Sequence, residues 1–298
     1  MSQTLAPNIR GFREISRTLT LLSPWLITFA VFWLYPLLYA LYMSFTKYST
    51  LTNTAEFIGL KNYTRVLNDY FFWKAFTNTA IFTIGTVPVT TTLALALAVM
   101  LNSKLVRGVA FFRAAYFMPS VTSLVVIALI FTNLYAKDGY INALVQMLGF
   151  EGSQRGFLLT PGTALASIMA MDIWIATGYY MVLFLAGLQT IPADLYEAAR
   201  LAGASAWQQF KMITLPLIRP TLLFIVVINS IKSFQVFVEI YVMTKGGPLH
   251  STTTLVYQVF VNAFEKADMM GYASALAYVV FVIILSFSLI QMKVLKAR

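Results

Sequence analysis

The sequence predicts an all-α membrane protein with six transmembrane helices, and three observations carry that prediction. Of 298 residues, 59% are hydrophobic and 11% are charged, where an ordinary soluble domain has about 45–50% and about 25%. The mean hydropathy is +0.75. A soluble fold cannot hide so much apolar surface, so lipid must solvate much of it. The apolar residues also gather into six runs, each close to the roughly 20 helical residues that cross a bilayer. Finally, Lys and Arg are denser in alternate connecting segments, the asymmetry expected of a polytopic chain.

The runs are Leu19–Phe45, Phe76–Leu101, Ala115–Leu134, Ala164–Leu188, Leu222–Met243 and Ala273–Met292. The first follows Arg10, Arg13 and Arg17, as the apolar core of a signal peptide would. It exceeds a signal core of about 7–15 residues, and no small-residue cleavage site follows, so it reads as an uncleaved first span. Several runs contain Gly, Pro, Ser or Thr. Membrane helices tolerate these where neighbouring helices satisfy the freed backbone groups. The sequence has no low-complexity tract, heptad array or internal repeat.

Orientation follows from the cations. With the N-terminus inside, the inner segments hold Arg10, Arg13, Arg17, Lys104, Arg107, Arg113, Arg200, Lys211, Arg219, Lys293, Lys296 and Arg298, against Glu14, Asp194 and Glu197. The outer segments hold Lys47, Lys61, Arg65, Lys74, Lys137, Arg155, Lys245 and Lys266 against six acids. The split is +9 inside and +2 outside, so both termini and the segment between the fourth and fifth runs are expected in the cytoplasm. Domain organisation reads as a cytoplasmic N-terminus (1–18), a first span with an external loop (19–69) and a five-helix transmembrane domain (70–298).

Composition also excludes function classes. With no cysteine there is neither disulfide framework nor thiolate metal site. A single histidine, His250, excludes histidine-cluster metal sites, and it reads as an exposed loop residue. The formal charge of +10 is dispersed through short loops, so topology explains it and no nucleic-acid partner is expected. An integral membrane enzyme would need clustered His, Asp or Cys on one membrane face. A secondary transporter or channel would need an ion-coupling chain or pore repeat. Neither pattern is present.

The inner segment after the fourth run is built as a mechanical part. Ile191-Pro192-Ala193-Asp194 ends one helix and starts another, with Asp194 expected as N-cap and Glu197 at capping-box spacing. Leu195–Ala202 is rich in helix formers, and Ala198, Ala199 and Ala202 give it a low-relief face. Gly203 permits a sharp change of direction. A second short helix is expected around Ser205–Met212, closed by Pro216. The pattern Glu197-Ala198-Ala199, then Gly203, then Ile213-Thr214-Leu215-Pro216 resembles the EAA loop, the cytoplasmic docking element of ATP-binding-cassette (ABC) importer permeases. That resemblance implies the type I ABC importer permease (MetI-like) fold. It also implies that Glu197, Ala198, Ala199, Gly203, Ile213, Leu215 and Pro216 form the element coupling the chain to an ATPase.

Other stretches extend the resemblance over nearly the whole chain. Phe57-Ile58-Gly59-Leu60-Lys61-Asn62-Tyr63, Phe72-Trp73 with Asn78-Thr79, and Phe184–Gln189 are similar to carbohydrate-uptake permeases. So are Ile240–Pro248 with Thr252-Thr253-Thr254, and Gly271-Tyr272-Ala273-Ser274-Ala275. They identify the chain with the first permease subunit of the maltose- and glycerol-phosphate-type group, without the extra N-terminal spans and large external domain of the maltose-type member. The implied partners are a second homologous permease, an ABC ATPase dimer, an extracytoplasmic solute-binding protein, membrane lipid and a small sugar or polyol. No GxxxxGK[ST] phosphate loop is present, so no cofactor is expected on this chain; ATP and Mg would sit on the partner ATPase. A permease for polyamine, phosphate or sulfate is the alternative.

Three ionisable residues fall within the runs: Asp172, Lys232 and Glu239. Charge at membrane depth is costly and faces a cavity or a partner, so each is a functional candidate. The maltose-type resemblance, anchored on Trp174, Ile191-Pro192 and Gly246-Gly247-Pro248, implies substrate contacts from Asp172, Ile175, Ala176 and Tyr179 on one helix. It implies Asn229, Lys232, Ser233 and Val236 on another. Each set has i, i+3, i+4, i+7 spacing and shares one helical face. The alternative is that Asp172 and Lys232 neutralise each other between helices. Gln235 and Glu239 extend the polar face or hold interhelical hydrogen bonds.

Overall fold

Helix fills most of every apolar run. In the computed structural model the described residues are 8–49, 54–103 and 106–296. Lys104 and Arg298, counted among the inner cations, lie outside them, as do the side chains of Arg10, Arg13, Glu14 and Lys296. The first run is α1 (Asn8–Phe29), a π-helical turn (Ala30–Leu34) and α2 (Tyr35–Ser44), continuous over Arg17–Ser44. The π turn has a local cause. Pro36 has no N–H and its ring crowds the carbonyl four residues back. The chain answers with a wider turn, in which Tyr35 N donates to Ala30 O.

Next come an antiparallel strand pair, β1 (Thr46–Ser49) and β2 (Thr54–Phe57), with Thr46 opposite Phe57, and then α3 (Lys61–Asn68). The second run is α4 (Tyr70–Leu101), started by the Asp69 carboxylate accepting from Phe71 N at 2.8 Å. The third run corrects the expectation of one continuous span over Ala115–Leu134. It is two helices, α5 (Val109–Val121) and α6 (Leu124–Leu134), bent by 93°. Pro119 removes one backbone donor in the last turn of α5, and Thr122 has the extended backbone of a helix end (φ −79°, ψ 150°). The hydroxyls of Ser120 and Thr122 turn back onto the carbonyls of Phe117 and Met118, so this helix end is satisfied without continuing.

After α7 (Tyr140–Met147), the fourth run is α8 (Pro161–Gln189). At about 1.5 Å per residue its length exceeds the roughly 30 Å hydrocarbon core. Three short helices follow, α9 (Ala193–Leu201), α10 (Ala206–Gln209) and α11 (Leu215–Leu217), with a second π turn over Phe210–Thr214. The fifth run, expected as continuous over Leu222–Met243, is interrupted: α12 (Arg219–Phe234) stops, Gln235–Phe237 is non-helical, and α13 (Val238–Met243) resumes. Irregular backbone at membrane depth survives only where protein or a cavity satisfies it; Thr254 Oγ1 donates to Val236 O at 3.0 Å. Last come α14 (Leu255–Phe260) and α15 (Met270–Lys296). Among the described residues, five helices are thus long and apolar enough to span, or six with the bent α5–α6 pair taken as one span.

Contacts divide the chain into two units. One comprises the described residues up to Val66 with Asn262–Tyr278. Here Asn62 Nδ2 donates to the carbonyls of Ser44 and Thr46, each at 2.9 Å, and the Arg65 guanidinium lies 5.0 Å over the Tyr272 ring. The other comprises Leu67–Val261 and the chain from Val279 onward. Its main packing sets α4 against α8, with α5 and α12 alongside. One core joins Ile127 and Ala128 of α6, Ile168 and Met171 of α8, and Ile240 and Met243 of α13. A second joins Ala94 and Ala98 of α4, Tyr180 and Phe184 of α8, and Ile225 of α12.

Two stretches separated by over 170 residues meet in this second unit. Buried Asn78 donates through Nδ2 to the carbonyls of His250 and Thr253, both at 2.9 Å. Thr79 Oγ1 accepts from Leu255 N at 3.0 Å. Gly246 turns with φ +78°, and Thr253 Oγ1 bonds its carbonyl at 3.0 Å. His250 is exposed, its ring edge-on to Phe71 at 4.8 Å. Asn78→Ala strands carbonyls of the 246–254 loop and is expected to cost about 1–3 kcal/mol. Limited proteolysis of the purified variant checks it: new cleavage should map to this loop.

Candidate functional site

Two regions of the second unit hold the residues singled out above. The first is the segment from α9 to α11. Pro192 (φ −57°, ψ 132°) leads directly into α9, and this corrects the expected cap. Asp194 lies inside the first turn, where its charge still suits the helix dipole, and it makes no N-cap bond. Glu197 reaches Arg200 Nη2 at 3.9 Å on the exposed face. The capping box forms one helix later. Ser205 Oγ accepts from Gln208 N at 3.3 Å, and Gln208 Oε1 accepts from Ser205 N at 2.7 Å.

Gly203 makes the turn between these helices at φ +78°, the left-handed conformation that glycine adopts without a side-chain clash. Gly203 N donates to Arg200 O at 3.0 Å and Ala204 N to Ala199 O at 2.9 Å, the paired bonds of a Schellman cap. Glu197, Ala198, Leu215 and Pro216 are exposed, and Ala199 and Ile213 half-buried. A groove of about 700 Å³ separates this segment from the ends of α4 and α8. Asn102, Leu188 and Gln189 line one side, and Tyr196, Arg200 and Phe210 the other.

The second region lies between α8 and α12. Lys232 Nζ donates to Asp172 Oδ1 at 3.1 Å. The two ends differ sharply: the Asp172 side chain is 4% exposed and that of Lys232 44%. The carboxylate is enclosed while the ammonium reaches open surface at membrane depth. One turn before Lys232, Asn229 is buried and its Nδ2 has no hydrogen-bond partner. Ser233 Oγ lies 3.3 Å from Thr86 Oγ1. Val236 sits in the helix break and Ile175 beside it in the first core, while Ala176 joins the second. Tyr179 is exposed at 44%. Of the eight residues, then, Lys232 and Tyr179 reach surface, and the other six are buried. Glu239 is buried at the start of α13, within electrostatic reach of both Asp172 and Lys232.

Sequence reasoning did not single out Thr86, Ser230 or Gln291. Gln291 Nε2 donates to Ser230 Oγ at 2.8 Å, tying α15 to α12. The available signal was an amide in an otherwise apolar last run.

The site is thus an ion pair between two apolar spans, α8 and α12, with an exposed loop joining the two helices. Over residues 90–296 the sequence matches one family, and the chain belongs to it: binding-protein-dependent transport system inner membrane component. It is similar to the lactose transport system permease protein LacF of Rhizobium radiobacter, 33% identical over 100% of both chains. It is 35% identical to the trehalose/maltose transport system permease protein MalF of Thermococcus litoralis, over 96% of each. The fold matches a solved bacterial ABC transporter involved in alginate import, with TM-score 0.84 at 22% identity over 97% of this chain and 99% of that one. The expected ABC importer permease fold is the one observed.

Proposed function

We propose that this chain is a permease subunit of an ATP-driven importer for a sugar, oligosaccharide or polyol, with both termini in the cytoplasm. The observation that carries the reading is end-to-end similarity, at 33–35% identity, to permeases named for lactose and for trehalose and maltose. The half-open Lys232 ammonium beside Asp172 supplies chemistry suited to sugar hydroxyls. Asp172, Ile175, Ala176 and Tyr179 with Asn229, Lys232, Ser233 and Val236 are the proposed substrate pathway. An exposed ammonium at membrane depth needs a watery passage or a facing subunit. This chain therefore supplies half of a pathway completed by a second, homologous permease.

Work enters through the segment between α8 and α12. ATP and Mg belong to a partner ATPase dimer, which closes on ATP and draws the loop with it. The loop is continuous with the two helices that hold the Asp172–Lys232 pair, so its displacement tilts both and re-aims the pathway. A loaded extracytoplasmic binding protein favours one of the two states, and ATP and cargo are coupled through that shared equilibrium. Glu197, Ala198, Ala199, Gly203, Ile213, Leu215 and Pro216 form the docking element.

Reconstitution of the complex with its cognate binding protein in proteoliposomes tests this. ATP-dependent uptake of a neutral saccharide or polyol is expected; a polyamine, phosphate or sulfate cargo would overturn the sugar reading. Gly203→Val forces a β-branched residue to φ +78°, a strain of about 1–3 kcal/mol. It should lower uptake at least about tenfold while the second permease and ATPase still co-purify.

A further inference from the structure

The two helices of the loop are each too short to be rigid alone, since isolated helices under about 12–15 residues are marginal. They also lack a solid backing, because the groove of about 700 Å³ lies between them and the ends of α4 and α8. A lever of this kind bends at its weakest point, the Gly203 turn. Something must brace it.

Thr214 differs from six other helical threonines. The hydroxyls of Thr28, Thr77, Thr79, Thr86, Thr132 and Thr177 each donate to the carbonyl four residues back, the usual local bond of helical Thr. That of Thr214 lies 2.9 Å from Tyr196 Oη. Thr214 is 5% exposed and closes the π turn over Phe210–Thr214, in which Leu215 N donates to Phe210 O. As at Pro36, the π turn ends two residues before a proline, here Pro216. The extra residue in that turn changes the direction in which Thr214 points, and π bulges of this kind recur at functional sites.

We propose that the Tyr196–Thr214 hydrogen bond is the brace that makes the two loop helices one lever, with both acting as positioning residues for energy coupling. The inference rests on the coupling reading above and adds to it a residue, Tyr196, outside the motif. Tyr196 contributes from the first turn of α9 and Thr214 from the far end of the second helix. The bond therefore spans the elbow at its open end, where it resists splaying most effectively.

The test uses the assembled complex in proteoliposomes, reading solute taken up per ATP hydrolysed. Tyr196→Phe removes one oxygen and keeps the ring; Thr214→Val removes the hydroxyl and keeps the shape. Each is expected to lower the ratio by about fivefold, with Thr214→Ser, which keeps the hydroxyl, within about twofold of the parent. Hydrogen exchange in the Ser205–Thr214 segment should accelerate in Tyr196→Phe and not in Thr214→Ser. A parental ratio for Tyr196→Phe overturns the brace, and so does loss of assembly in both Tyr196→Phe and Thr214→Val, which assigns the contact to folding. Gly203→Val separates the two claims. If it uncouples and Tyr196→Phe does not, only the brace falls; if neither uncouples, the coupling reading falls as well.

Discussion

Gly178→Val is expected to abolish recovery of the folded chain. A Cβ built on Gly178 strikes the backbone carbonyl of Tyr116 and lies 3.2 Å from Phe117 Cα. The obstacle is main chain, so no rotamer change relieves it and α5 must move off α8. That displacement would pull apart one of the main helix pairings of the second unit just where α5 approaches its bend. Overpacking a core costs typically about 1–3 kcal/mol, and occasionally more; a rigid backbone neighbour puts this site at the upper end. Gly162→Ala is the control on the same helix. No atom lies within 4 Å of its added Cβ, and alanine is the better helix former by about 0.5–1 kcal/mol. Fluorescence size-exclusion in detergent should show an aggregated or absent peak for Gly178→Val and a parental peak for Gly162→Ala. A parental peak for Gly178→Val would mean that α5 and α8 do not cross so closely.

The same crossing shows what the sequence does and does not disclose. Apolar runs predict helices because lipid demands satisfied backbones, and helix fills most of each predicted run. Bends are harder. The 93° turn falls at Thr122-Ser123, just after Ser120, and this polar stretch is too brief to split the surrounding apolar run in hydropathy. Pro119 is equally compatible with a mild kink, and the tight approach at Gly178 comes from a helix about 60 residues away. The break at Gln235–Phe237 is silent for a similar reason: the hydroxyl of Thr254, which satisfies Val236 O, lies in another element. Short β1 and β2 have four residues each, too few for alternation to register.

Site residues divide along the same line. Gly203 was legible because a left-handed turn selects glycine whatever surrounds it. Asp172 and Lys232 were legible as charges in apolar runs, but their unequal burial is a property of packing and could not be read. The Asp194 cap failed because Pro192 takes the N-cap position and α9 starts two residues earlier than the capping pattern suggests.

That unequal burial makes a directional prediction about the ion pair. Lys232→Met leaves the Asp172 carboxylate, 4% exposed, without its ammonium, and an unpaired buried charge costs about 3–5 kcal/mol. Asp172→Asn leaves Lys232 able to turn toward the open surface that already takes 44% of its side chain. Solvent then screens the ammonium, and the cost is nearer about 1 kcal/mol. In the double variant no charge is stranded, so thermal stability should return close to the Asp172→Asn level. Transport separates a pathway role from mere neutralisation. If the pair serves only to balance charge, the double variant regains uptake along with stability. If Lys232 offers its remaining N–H donors to the cargo, the double variant is stable yet transports at least about tenfold more slowly, the loss of one hydrogen bond to a charged group. Melting temperature and uptake measured on the three variants decide between these outcomes. Parental uptake by all three would remove Asp172 and Lys232 from the pathway.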